Sequence, residues 1–169
     1  MPYTPKDTPE PIEEPEALRS ALERAADGKA DRRLEISLRV AGGAPSQRYR
    51  FEFVARGTGT ASSELSCEAT DRRGKSDERL EPAELAELAR KVLASGILDT
   101  PAEPPRFLPD TLVGILDITN GTTSFRRYFA AEADQAQVQA AAPPAGVAEA
   151  ADAIFSLGAK RMGKRSIKP

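Results

Sequence analysis

Leu34, Ile36, Leu38 and Val40 alternate with Arg33, Glu35, Ser37 and Arg39, so this segment predicts a strand with one apolar and one charged face. Gly42, Gly43 and Pro45 break the pattern. A second alternation puts Tyr49, Phe51 and Phe53 on one face and Arg48, Arg50 and Glu52 on the other. Gly57 and Gly59 mark the next turn, and a weaker third strand over 61–70 carries Leu65, Cys67 and Ala69 inward. Neighbouring strands with one wet face each predict an antiparallel meander.

Helical spacing frames this meander. Leu18, Ala21, Leu22 and Ala25 fall at i, i+3, i+4 and i+7 within 16–27, and Gly28 ends the stripe. Beyond a charged loop, Asp71 to Glu78, the strongest helix opens at Pro82 and buries Leu85, Leu88, Ala89, Val92 and Leu93. Gly96 stands where a left-handed cap is expected. Ile97 and Leu98 then dock the chain before a loop containing Pro101, Pro104, Pro105 and Pro109. Residues 112–130 predict a hairpin turning on Asn120-Gly121. That turn opposes Leu116 to Phe125 and Leu112 to Phe129 on the apolar face. On the other face it opposes Val113 to Tyr128, Ile115 to Arg126 and Asp117 to Ser124. A last helix, from Pro144 to Leu157, buries Val147, Ala150, Ala151 and Ile154.

The order helix, three strands, helix, two strands, helix predicts an α+β single domain. Its expected form is an antiparallel sheet of about five strands with helices packed on one face. Residues 1–15, acidic and rich in proline, read as a flexible arm, 16–158 as the domain, and 159–169 as a flexible basic tail. The 18.1 kDa mass suits one domain. No apolar run is long enough to span a bilayer, and the N-terminus lacks the basic-then-apolar order of a secretory signal, so cytoplasmic residence is expected.

The residue inventory narrows the chemistry further. The 169 residues contain no histidine, the usual general base near neutral pH and the commonest metal ligand. Cys67 is the only cysteine, which excludes an intrachain disulfide, a CxxC redox pair and a multi-cysteine zinc site. At an inward strand position it reads as a small hydrophobe. Asp110 and Asp117 form no carboxylate pair by spacing. No catalytic residue, cofactor or metal ligand is therefore assigned, and the chain is read as a non-enzyme.

Three charged features remain. Ala69 to Ser76 (ATDRRGKS) fits a permissive phosphate-loop pattern, and Leu112 to Asp117 imitates the acidic strand that accompanies it. Arg72 and Arg73, however, stand where the loop needs glycine, and the helical pattern starts only near Pro82. Arg48, Arg50, Arg56, Arg72, Arg73 and Lys75 could form a basic face, but Glu52, Glu64 and Glu68 share its parity and predict cross-strand neutralisation. The tail carries Lys160, Arg161, Lys164, Arg165 and Lys168 without interleaved aromatics, and a net charge of −2 gives no general pull toward nucleic acid. Binding of a small ligand or nucleotide phosphate at 69–78, and of nucleic acid through the tail, stand as the alternative readings.

The second face of the 112–130 hairpin carries Val113, Ile115, Arg126 and Tyr128, more apolar than solvation requires. Either the first helix or the proline loop, with Phe107 and Leu108, covers it, or it is a partner-binding patch. The leading expectation is a protein partner there, with no membrane span; the pattern fixes neither the partner's identity nor the oligomeric state.

A strand ending in Gly42-Gly43, a helix ending Leu93-Ala-Ser-Gly-Ile-Leu-Asp99, a proline-rich loop, a hairpin around Asn120-Gly121 and a last helix opened by Pro143-Pro144 follow in order. This layout, over roughly 34–158, resembles the small bacterial emfourin-like proteins, with an additional strand at 61–70 and longer termini. The resemblance implies a non-enzymatic α+β protein that acts by binding another protein, as an inhibitor of a thermolysin-type metalloprotease does. It assigns no site residue here.

Overall fold

The apolar stripe of the first helix winds into α1 (Pro15–Ala26), where Leu18, Ala21, Leu22 and Ala25 are all buried. Residues 13–44, 46, 48–68, 71–101, 112–134, 137–140 and 145–163 are described in the computed structural model. Pro15 occupies the first turn, where its missing N–H costs nothing. At the other end Gly28 takes a φ of 79°, while its N–H donates to Ala25 O and that of Lys29 donates to Arg24 O. This pair of bonds is a Schellman cap.

Four strands then run as a meander: β1 (Leu34–Gly42), β2 (Tyr49–Arg56), β3 (Thr60–Cys67) and β4 (Arg72–Arg79). After α2 (Pro82–Ser95) and a single 3-10 turn (Ile97–Asp99), the chain re-enters the sheet as β5 (Leu112–Asn120). β5 pairs with the free side of β1, and β6 (Thr123–Asp134) and β7 (Gln137–Ala140) extend the sheet outward before α3 (Ala145–Gly163). The result is one seven-stranded antiparallel sheet in the order β4-β3-β2-β1-β5-β6-β7. α2 packs between α1 and α3, which lie over the sheet, so the helices share one face with a single core.

The alternation in β1 is realised in full. Leu34, Ile36, Leu38 and Val40 are buried, as are Phe51, Phe53 and Ala55 of β2 and Leu116 and Ile118 of β5. Each large apolar side chain so buried contributes roughly 1.5–3 kcal/mol. Gly114 belongs to this face because the ring of Phe129, its cross-strand partner, occupies the space a Cβ would fill, with ring atoms at 2.2–2.4 Å from that position. Gly96 caps α2 with a φ of 73°, and Ile97 and Leu98 are buried immediately after it.

The sheet corrects the expectation in three places. It has seven strands, because residues 72–79 are not a charged loop but β4, and Gln137–Ala140 adds β7. β4 (RRGKSDER) has no apolar alternation to reveal it; only its backbone pairing with β3 makes it a strand. The 112–130 hairpin turns one residue later than Asn120-Gly121. Asn120 pairs with Thr123, which leaves Gly121 and Thr122 as the turn. Only Gly121 there has positive φ (66°), the type II′ pattern with glycine first, whereas Asn120-Gly121 at the centre needed positive φ at both residues. The register therefore moves by two, so Ile115 faces Tyr128 and Asp117 faces Arg126, while every side chain keeps its face. Finally, α3 continues to Gly163, so Lys160 and Arg161, assigned by sequence to the tail, are helical. Residues 1–12 of the acidic arm, Phe107 and Leu108 of the proline loop, and the tail beyond 163 lie outside the described residues.

Candidate partner-binding face

With the helices on one side, the other side of the sheet is assembled from the polar parity of each strand. Its three central rows run across β1, β5 and β6. They are Ser37–Asp117–Arg126, Arg39–Ile115–Tyr128 and Ala41–Val113–Ala130. The four residues marked from sequence, Val113, Ile115, Arg126 and Tyr128, thus come together. α1 does not cover them, since its buried residues all join the core on the other face. Val113 and Ile115 are half-buried by their neighbours, and Tyr128, 39% exposed, is the one exposed large hydrophobic side chain among the described residues.

Arg126 is held in place rather than left mobile. Its Nε donates to Asp117 Oδ1 at 2.6 Å and its Nη2 to Asp117 Oδ2 at 3.0 Å, a bidentate pair. Its Nη1 lies 3.4 Å from Tyr128 Oη, and its guanidinium carbon 6.0 Å from the Tyr128 ring centroid. The hydrogen bonds it donates, to Asp117 first and then to Tyr128, raise its pKa further above the ordinary arginine value. A fixed cation, an aromatic ring and two aliphatic side chains on a flat surface are the ingredients of a protein-recognition patch.

Elsewhere on the face ion pairs neutralise Arg39, Arg50 and Arg56, while Arg73 and Lys75 of β4 stay exposed. Arg39 and Arg50 each reach Glu52 at 3.6 Å, and Arg56 reaches Glu35 at 3.5 Å. Glu35, Arg39, Glu52 and Arg56, with Ser37, Val54, Asp117 and Thr119, line a shallow depression of about 290 Å³. A second depression, about 400 Å³, lies at the β1–β2 end between Gly42, Gly43, Arg48 and Glu68. Among its described residues the phosphate-loop pattern forms no cradle: Gly74, Lys75 and Ser76 lie in the middle of β4, with Lys75 opposite Glu64. Successive amides of an extended strand point to alternate sides, so they do not converge on an anion.

Cys67 is half-buried on the core side of β3, opposite Tyr49. Burial, and then the neighbouring Cys67 charge, push the Tyr49 phenol up from 10.0 to about 12. The unfolded chain releases this proton first, so the stability linked to Tyr49 is whole below pH 10 and falls as pH rises toward 12. A phenolate absorbance titration should show one late-ionising tyrosine, lost in Tyr49→Phe; a single step near pH 10 for all tyrosines would contradict this.

One residue of consequence was missed in sequence. Arg127 lies on the core face between Phe125 and Phe129, buried at 7% exposure. The signal was present, since strand parity sets Arg127 among those phenylalanines.

A comparison with models of known protein families finds no match for this chain, and neither does a comparison with curated proteins.

Proposed function

We propose that this protein is a non-enzymatic binding module that docks another protein on the open face of β5 and β6. The observation that carries the reading is Tyr128, exposed beside half-buried Val113 and Ile115 on a sheet face that α1, α2 and α3 leave bare. The Arg126–Asp117 pair supports it, because an arginine already fixed by a bidentate carboxylate loses little freedom on contact. An inhibitor or accessory subunit is the role that the emfourin-like layout implies, with a thermolysin-type metalloprotease as the first partner to try.

The test is a double substitution, Ile115→Glu with Tyr128→Glu, in the full chain. Partner capture, or inhibition of such a protease, should weaken by about 100-fold or more, because aromatic and aliphatic anchors carry most of the energy of an interface. Thermal unfolding should stay within about 1 kcal/mol of the parent, since both side chains are already partly wet. Unchanged binding by a folded double variant would remove this face from the account.

A further inference from the structure

β4 forms one margin of the sheet, and its outer side has no strand partner among the described residues. The Leu80 N–H donates to Gly59 O at 2.8 Å, which sets the direction of every backbone group before it. Residues 74, 76 and 78 turn their amides and carbonyls toward β3, and residues 73, 75, 77 and 79 turn theirs outward. The side chains of Arg73, Lys75 and Asp77 are exposed on the open face.

Charged residues on a sheet margin ordinarily prevent pairing. Here the order of signs has the opposite effect on one particular occupant. On its open face β4 reads cationic at Arg73 and Lys75, anionic at Asp77 and cationic again at Arg79, with Asp71 just before its start, so reversing the strand about Lys75 sets Arg73 against Asp77 and Arg79 against Asp71. We infer that two copies of this chain pair β4 with β4 in antiparallel register about a two-fold axis at Lys75, with Arg73 of each copy facing Asp77 of the other.

In this register the hydrogen-bonded pairs are made only by outward-facing residues. Arg73 with Asp77, Lys75 with Lys75, and Asp77 with Arg73 each become a facing pair that exchanges two N–H···O bonds. The like charges at the axis are relieved from the other side, because Glu64 of β3 lies directly opposite Lys75. On the core side, Gly74 faces Ser76 of the second copy, two small residues that leave no steric obstacle. Shifting the copies by one pair in either direction is worse. One shift gains two Lys75–Asp77 pairs but sets Arg73 against Arg79 twice; the other sets Arg73 against Lys75 twice and Asp71 against Asp77 twice. Because a two-fold axis perpendicular to the sheet keeps each face on its own side, the two open faces would point the same way. The pairing therefore leaves the Tyr128 patch free and does not depend on the function proposed for it.

The test is the mass in solution of the full chain, by light scattering or sedimentation over a concentration series. The parent should approach a dimer as concentration rises. Arg73→Asp or Asp77→Arg alone turns both attractive pairs into repulsive ones and should raise the dimer dissociation constant by about tenfold or more. The double variant Arg73→Asp with Asp77→Arg restores the complementarity and should restore the dimer, with folding of each variant checked by circular dichroism. Lys75→Pro removes an outward N–H without touching a bond to β3 and should also leave a monomer. A parent that stays monomeric at every concentration overturns the inference, as does a dimer that both single charge reversals leave unchanged.

Discussion

Arg127→Ala is expected to lower the unfolding free energy by about 3 kcal/mol, which for a chain of this size lowers Tm by roughly 6–12 °C. The side chain crosses the core face of β6 with its guanidinium carbon 3.9 Å from the Phe125 ring centroid. Every polar group on it is occupied. Nε and Nη2 both donate to Thr100 O, at 3.2 and 2.7 Å, and Nη1 donates to Glu13 Oε1 at 2.6 Å and Arg126 O at 2.7 Å. One buried cation therefore fastens the segment leading into α1 and the exit from the 3-10 turn to the centre of the hairpin. Alanine would leave a void over Phe125 and deprive the Thr100 carbonyl of both donors. Arg127→Met refills the void but not the bonds, and should recover about half of the loss. Glu13→Gln should cost under about 1 kcal/mol, because Glu13 is 42% exposed and its charge is screened. Chemical denaturation of the three variants measures this order. Equal losses in Arg127→Ala and Glu13→Gln would mean that the ion pair, and not the carbonyl anchor and ring contact, carries the energy.

Gly57→Ala is expected to be as damaging, at about 3 kcal/mol or more. The reason is not backbone freedom, since Gly57 is not among the glycines with positive φ. Its N–H donates to Leu34 O at 2.7 Å as the chain leaves β2, which presses it onto the turn before β1. A Cβ at this position would stand 1.7 Å from Asp31 O and 2.8 Å from Asp31 C. Ordinary C···O approach stops near about 3.3 Å. The obstacle is backbone and cannot rotate aside. Asp31 is itself fixed, because its carbonyl accepts the Leu34 N–H at 3.1 Å and its carboxylate the Arg33 N–H at 3.0 Å. Relief must come from shifting the connection between α1 and β1, which loosens the β1 start that both β2 and β5 pair with. Thermal unfolding gives the magnitude, and hydrogen exchange at Leu34 and Gly57 localises it. A variant within 1 kcal/mol of the parent would show that this connection yields easily.

Where one face of an element is buried, its pattern is written in the sequence. The alternation from Leu34 to Val40, the helical stripes from Leu18 and Leu85, and the glycine cap at Gly96 were all legible, because each depends on residues within one or two turns of one another. So was the sidedness of Val113, Ile115, Arg126 and Tyr128, because a two-residue change of register preserves parity. Tertiary structure alone decided the rest. β4 has no buried apolar residue to mark it and exists through its bonds to β3. Which strand lies beside β1 is a long-range choice, made when β5 returns under the helices to complete the sheet. The hairpin register followed the single positive φ that Gly121 supplies, and α1, α2 and α3 leave the other face of β5 and β6 uncovered because they dock together over the opposite side. Local sequence determines which face of each element is apolar, since that depends only on periodicity. The order of the strands, and the sheet face that the helices leave uncovered, depend on which apolar faces meet in the common core.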